Sequence, residues 1–162
     1  MPTKTKQTYA EYVQELTTQL NASLVLSLPL PPLGCTAQQG THRIVKATAT
    51  KQYREDARMT AFTQRLRPFT SKVRIHHVWF CAKNPYEAAG GAQCKKKHKM
   101  YRPVDTANAL QALKGAVDGL VDAGLLVDDK PKNVCWGEHI RLGTTKEHFG
   151  KCGLLLFFEV IS

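Results

Sequence analysis

The chain has 162 residues, 43% of them hydrophobic and 22% charged, which is ordinary for one soluble globular domain. This composition excludes a largely disordered tail, a collagen and a coiled-coil rod. The apolar runs are too short to span a bilayer, and no secretory signal follows the charged N-terminus. We therefore expect a soluble cytoplasmic protein whose five cysteines are reduced thiols.

The formal net charge of +10 favours a polyanionic partner, above all a nucleic acid. Its distribution is uneven: residues 41–102 hold 15 Lys and Arg against three Asp and Glu, whereas residues 103–129 hold one Lys and five Asp. Carboxylates beside a cationic surface repel phosphate, so a pure nucleic-acid binder has no evident use for them. A metal-dependent nuclease uses them as ligands, and the pattern therefore favours such an enzyme.

The first half of the chain predicts two helices and two strands. A capping box, Thr8-x-x-Glu11, opens an amphipathic helix over 8–20. An apolar run over 23–30 predicts a strand that leads into a proline-rich turn. Helical spacing over 50–66 predicts a basic helix, and 73–81 predicts a second strand.

The second half begins with an expected exposed loop over 83–101, followed by a helix that ends at Gly124 as its C-terminal cap. Two strands over 133–142 and 153–161 are expected to pair antiparallel. This order predicts an α+β class: a two-layer α/β sandwich with a mixed sheet of about four strands and helices on one face. Residues 1–22 would form an N-terminal helical extension and residues 23–162 the functional domain.

The acidic segment after Pro103 has the composition of a magnesium site, because Mg²⁺ takes oxygen ligands, usually one or two carboxylates with phosphate and water. Asp105 and Asp118 lie 13 residues apart, roughly 20 Å along a helix, and cannot share one metal ion. Asp129 can reach Asp105 by a chain that runs back beside the helix, or across an antiparallel dimer of that helix. Both routes stay open.

The pattern Asp105-x-x-Asn108-x5-Lys114-x3-Asp118-Gly-Leu-x-Asp-x-Gly-x3-Asp128-Asp129 resembles the signature of the RusA family of Holliday-junction resolvases, particularly its phage-encoded members. The proline turn and the basic helix resemble further parts of that family. The resemblance implies a RusA-like fold over 23–162 and a homodimeric crossover junction endodeoxyribonuclease that acts on four-way DNA in recombination and repair. It implies Mg²⁺ as cofactor, with Mn²⁺ as the alternative, and the cytoplasm of a bacterial host.

Residue by residue, the resemblance implies that Asp105 and Asp129 are catalytic and bind the metal, with Asp128 as an auxiliary ligand. Lys114 matches the motif lysine that supports catalysis, and Asn108 and Asp118 match supporting motif positions. Contacts to the DNA backbone are expected from the basic region, through Lys51, Arg54, Arg58, Lys95, Lys96, Lys97, Lys99 and Arg102.

Ala107 departs from the family pattern, which usually has a further aspartate immediately before the asparagine. The loss of a carboxylate weakens metal binding and slows cleavage, so we expect junction binding with weak or absent cleavage. Three explanations stay open: an inactivated variant, a natural relative that binds without cutting, or replacement of the missing ligand by Asp128.

Two other functions are weighed against the nuclease. One is a non-catalytic basic DNA-binding protein whose acidic helix is a dimer or partner surface. The other is a zinc-stabilised module built on Cys81, Cys94 and His98 with His76 or His77, but that spacing is not a standard zinc pattern.

Overall fold

The computed structural model describes residues 6–32, 35, 43–81, 106–142, 149 and 151–162, with the backbone alone at residue 81. These ranges form three helices and four strands: α1 Tyr9–Gln19, β1 Leu24–Leu28, α2 Arg43–Thr63, β2 Val73–Cys81, α3 Thr106–Asp122, β3 Val134–Leu142 and β4 Cys152–Val160. Within them, no helix has the length and apolar character needed to cross a membrane.

The four strands form one mixed sheet in the order β1-β4-β2-β3. Strand β4 is antiparallel to both of its neighbours, whereas β2 and β3 are parallel. The predicted α+β class and four-stranded mixed sheet are confirmed, but the predicted antiparallel pairing of the last two strands is wrong. Strand β4 buries five consecutive residues, 154–158, and such an apolar strand is stable only where both of its faces are covered.

The two faces of the sheet carry different helices. Helices α2 and α3 cover one face, and the core there includes Leu26, Tyr53, Trp79, Leu113 and Phe158. Helix α1 covers the other, where the buried residues are Leu16, Val78, Phe80, Leu155 and Phe157. Helices α2 and α3 thus share one face, as predicted, whereas α1 forms an additional layer on the opposite face, which the two-layer prediction did not include.

The predicted capping box at the start of α1 is confirmed. Thr8 donates its backbone N–H to the Glu11 carboxylate at 2.7 Å, and the Glu11 backbone N–H donates to Thr8 Oγ1 at 3.3 Å. These two bonds satisfy donors that a helix N-terminus otherwise leaves without a partner. They also lower the pKa of Glu11.

Helix α2 begins at Arg43, seven residues before its predicted start. The β-branched side chains of Ile44 and Val45 lower helix propensity by a few tenths of a kcal/mol each, which disfavours a helix when the sequence is read locally. Ala49 in this early part of the helix packs against the core, and at Thr50 the helix meets α3, since a Cβ atom built on Gly115 would lie 3.0 Å from the Thr50 carbonyl oxygen. The two helix backbones therefore approach each other closely.

Helix α3 ends at the predicted glycine. Gly124 has a φ of +75°, and its N–H donates to Val121 O while the N–H of Leu125 donates to Leu120 O. These bonds form a Schellman motif, in which a left-handed glycine ends the helix. Because Leu125 and Leu126 are buried, the chain is held against the core and turns back toward α3.

Candidate active site and basic surface

The segment after α3 brings a motif carboxylate back to the middle of that helix. Asp129 Oδ2 lies 3.5 Å from Lys114 Nζ, and Asp118 Oδ1 lies 3.9 Å from the same atom. The Lys114 side chain is 67% exposed and that of Asp129 48%. One cation therefore lies between two carboxylates at the surface, and all three groups belong to one chain.

Lys114 is eight residues beyond the first residue of α3, about 12 Å along the helix axis. The chain thus runs back beside the helix as far as Lys114, which is the direction that the first of the two routes considered from the sequence requires. Asp105 lies outside the described residues. Its meeting with Asp129, within one chain or across a dimer, stays a prediction.

Asp128 stabilises the turn that carries Asp129. Its Oδ1 accepts hydrogen bonds from the backbone N–H of Lys130 at 3.0 Å and from Asn133 Nδ2 at 2.7 Å. The bond from Asn133 is the main cause of a lowered pKa for Asp128. A side chain held in this way positions its neighbour Asp129, and direct metal binding through Oδ1 would compete with both bonds.

Within the described ranges, no group of three or more His, Cys, Asp or Glu side chains is arranged to hold a metal ion. Mg²⁺ at a phosphate-processing site needs only one or two carboxylates, because water and substrate oxygens complete its octahedron. The exposed carboxylate of Asp129 fits one such position. The second carboxylate expected from the sequence is that of Asp105.

Lys114 and Asp129 line a cleft of about 400 Å³ between α3 and β3. Its apolar walls are formed by Leu110, Val117, Pro131, Val134 and Trp136. An apolar cleft with a few charged groups is the usual form of a ligand site. Trp136 was not among the residues predicted from the sequence, where its only local signal is an aromatic side chain on the strand after the Asp128-Asp129 pair.

The N-terminal turn of α3 exposes Ala107 and Asn108 to solvent. An aspartate at position 107 would therefore meet no buried apolar surface, and its negative charge would interact favourably with the helix N-terminus. The position that departs from the family pattern is thus accessible and can accept a carboxylate.

Three aromatic side chains, those of His77, Trp79 and His139, form a group close to the start of α3. Thr106 Oγ1 and His139 Nδ1 are 3.1 Å apart, at hydrogen-bond distance. The rings of His139 and His77 stack with centroids 4.7 Å apart, and Trp79 Nε1 donates to His77 Nδ1 at 2.8 Å. Burial of His77 lowers its pKa to about 4, and the charge interactions with His139 and His76 act in the same direction.

We expect the free energy of unfolding to fall by about 3 kcal/mol between pH 7 and pH 4 through His77 alone. The unfolded chain binds a proton at this histidine near pH 6.5, whereas the folded chain binds it only near pH 4. Stability contributed by neutral His77 is thus present above pH 6.5 and is lost as the pH falls toward 4. Urea unfolding at several pH values measures this slope.

The His77→Phe variant is the control, since it keeps an aromatic ring in place and cannot titrate. Its absolute stability will be lower, because Trp79 Nε1 loses an acceptor, but its pH slope between 6.5 and 4 should be flatter than that of the wild type. An unchanged slope would contradict the assignment to His77.

Two of the three cations predicted on α2 are engaged by carboxylates. Arg54 donates from Nη2 to Asp122 at 2.7 Å, across the α2–α3 interface, and Arg58 donates from Nη2 to Glu55 at 2.6 Å. These bonds lower the pKa values of Asp122 and Glu55. Lys51 makes no ion pair with any other residue that the structure describes.

Lys51 lines a shallow groove with Arg43, Lys46, Arg54 and Asp118. This groove joins the basic side of α2 to the Lys114 region through Asp118. The other predicted DNA contacts, Lys95, Lys96, Lys97, Lys99 and Arg102, lie outside the described residues. Two residues of the alternative zinc site, Cys94 and His98, also lie outside the described residues.

No protein-family model matches the chain. No curated protein matches it significantly either. The resemblance to RusA resolvases therefore rests on the motif residues of the sequence alone.

Proposed function

We propose that the protein is a RusA-like, structure-specific endonuclease that binds four-way DNA junctions in recombination and repair and cleaves them weakly. The observation that carries this proposal is the return of Asp129 to Lys114, 15 residues earlier in the chain, with Asp118 beside the same lysine. Three residues of the acidic pattern, namely Lys114, Asp118 and Asp129, thus lie together at the surface, and Lys114 and Asp129 line a cleft.

In this proposal, Asp129 and Asp105 hold Mg²⁺ or Mn²⁺. When bound, the ion supplies positive charge at the scissile phosphate and lowers the pKa of a coordinated water. Lys114 binds the phosphate or the leaving oxygen, for which an exposed ammonium group is suited. Asp128 holds the turn, so that Asp129 is positioned before the substrate arrives.

Ala107 accounts for the weak cleavage. With one carboxylate fewer than the family pattern, the site offsets less of the metal ion's charge, whereas the cationic surface that contacts DNA is unaffected. We therefore expect this chain to bind four-way junctions although it cleaves them weakly. Two-fold symmetric nicking of a junction requires two copies, each with one active site.

The Asp129→Asn variant tests the proposed metal site. We expect its affinity for Mn²⁺ to fall at least about tenfold, and any residual Mg²⁺-dependent nicking to disappear, because an amide lacks the carboxylate's charge. Affinity for a four-way junction, measured in EDTA, should not fall, since the change removes a negative charge. Mn²⁺ titration followed by electron paramagnetic resonance gives a readout that does not depend on activity.

The Asp56→Asn variant is the matched control, because it makes the same chemical change on α2, where Asp56 accepts a bond from Gln52. It should bind Mn²⁺ and the junction like the wild type. Equal Mn²⁺ affinity for the wild type and Asp129→Asn would remove Asp129 from the metal site.

The second candidate function is a non-catalytic junction or DNA binder. It is favoured by the two described contacts that occupy the acidic pair, namely the ion pair of Asp129 with Lys114 and the turn bonds of Asp128. A binder of this kind would show the same affinity for DNA with and without Mg²⁺ and would gain no cleavage from a restored carboxylate at position 107.

A further inference from the structure

The cleft between α3 and β3 has one apolar wall on each element. Leu110, Lys114 and Val117 are spaced by four and three residues, so they lie on one side of α3. Val134 and Trp136 are two residues apart on β3, which places them on the same side of that strand. Because β3 is an edge strand, the cleft lies at the edge of the sheet.

The charged groups of the cleft are those that the proposed function assigns to phosphate and metal. Lys114 and Asp129 both line it, and the other lining residues are apolar except Cys135. Since Lys114 is one helical turn from Leu110 and from Val117, a phosphate bound by its ammonium group would lie beside apolar surface. A ligand that matches both features joins a phosphate to a flat, weakly polar group, and a nucleotide has that structure.

The indole ring of Trp136 is held in place and yet only half-buried. It packs against the core and makes an edge-to-face contact with His77, with ring centroids 5.7 Å apart and planes at 83°. A ring that is fixed beforehand loses little conformational entropy when a ligand binds. Accessible aromatic rings beside cationic groups are the surfaces on which nucleic-acid-binding proteins stack unpaired bases.

We propose that the cleft binds one unstacked nucleobase of the DNA strand whose phosphate lies at Lys114, with the base stacked against Trp136. The inference rests on the proposed function, because it takes Lys114 as the phosphate-binding group. A base inside a duplex is stacked on both faces and has none to offer to the indole ring. The cleft therefore selects DNA from which a base can be released.

A four-way junction meets this condition at its branch point. In an open junction, each base pair at the branch point has a stacking neighbour on one side only, so the release of a base costs less there than inside an arm. Every base has a face that can stack on an aromatic ring, and the cleft would therefore select an unpaired base and not a particular sequence.

A double-mutant cycle between protein and DNA tests the stacking contact. The two DNAs are a four-way junction and the same junction without bases at the branch-point nucleotides, with affinities measured by fluorescence anisotropy in EDTA. Trp136→Ala should weaken binding to the intact junction at least about fivefold, the low end of the effect of losing base–aromatic stacking. For the abasic junction the loss should be less than about twofold, because the stacked base is missing. An equal loss for both DNAs would overturn the proposal.

Trp136→Phe and Phe62→Ala are the controls. Phenylalanine keeps an aromatic face, so Trp136→Phe should bind the intact junction within about twofold of the wild type. Phe62→Ala removes an exposed aromatic ring on α2, outside the cleft, and should leave the affinity unchanged. Circular dichroism should show that every variant retains its secondary structure.

Tryptophan fluorescence gives a readout that does not require a junction. The chain has two tryptophans, and Trp79 is fully buried, so quenching by DNA reports on Trp136. At saturation, a single-stranded oligonucleotide should quench the emission more than a linear duplex of the same sequence does. The difference should disappear in Trp136→Phe.

The two proposals fail in different ways. A preference for the junction that is the same in the wild type and in Trp136→Ala, without quenching by single strands, would overturn the base-binding cleft and leave the proposed function in place. Quenching by single strands that requires Trp136, without any preference for a junction, would support the cleft and contradict the proposed function.

Discussion

Replacement of Gly119 by alanine is expected to lower the free energy of unfolding by about 2–3 kcal/mol. A Cβ atom at this position would lie within 2.1 Å of the carbonyl oxygen of Arg54 and 3.1 Å from Ala57 Cβ. The clash is with helix backbone, which cannot rotate away, so α2 and α3 would have to separate. Urea unfolding of the wild type and the variant measures the loss.

The sign of this prediction is opposite to that expected from helix propensity, by which alanine stabilises a helix interior by about 1 kcal/mol relative to glycine. Gly115→Ala is the matched control: its Cβ atom would lie 3.0 Å from Thr50 O, so a small shift accommodates it and the loss should be smaller. A Gly119→Ala variant as stable as the wild type would contradict the close α2–α3 crossing.

Replacement of Ala107 by aspartate is expected to increase Mg²⁺-dependent nicking of a four-way junction at least about 100-fold. Loss of a group that only hydrogen-bonds to a metal ligand typically lowers metal affinity or activity about 10- to 100-fold, and a direct ligand should contribute no less. The side chain is exposed in the first turn of α3, so the variant should fold normally. Gel analysis of labelled strands, with Mg²⁺ present and absent, measures paired symmetric cuts.

Gln111→Asp is the control for added charge, because it places a carboxylate on an exposed position of the same helix, one turn further along. It should not produce cleavage. If Ala107→Asp binds the junction but does not cut it, the non-catalytic function becomes the better account of this chain.

Features specified by neighbouring residues could be predicted from the sequence. The capping box of Thr8 and Glu11 and the glycine cap at Gly124 were identified correctly because a few adjacent residues determine them. Strand β2 was predicted with the observed bounds, Val73–Cys81, since its β-branched and aromatic side chains have strong strand propensity.

Features that depend on residues far apart in the chain could not be predicted from the sequence. The position of β4 between β1 and β2 depends on pairing across the whole chain, and no local pattern encodes it. Nor does local sequence show that Arg54 bonds Asp122, 68 residues away, or that the backbone of α2 at Thr50 lies close to Gly115 of α3. The sequence pattern predicts Asp129 and Lys114 as candidate site residues, but only the fold shows that they lie side by side.

The most direct test of the proposed function is competition between a four-way junction and a linear duplex with the same arm sequences, followed by fluorescence anisotropy in EDTA. Because EDTA removes Mg²⁺, the assay measures binding without cleavage. We predict at least about tenfold tighter binding to the junction, a difference of 1.4 kcal/mol. Equal affinity for the two DNAs would contradict a junction-specific protein and leave only a general attraction between a chain of net charge +10 and DNA.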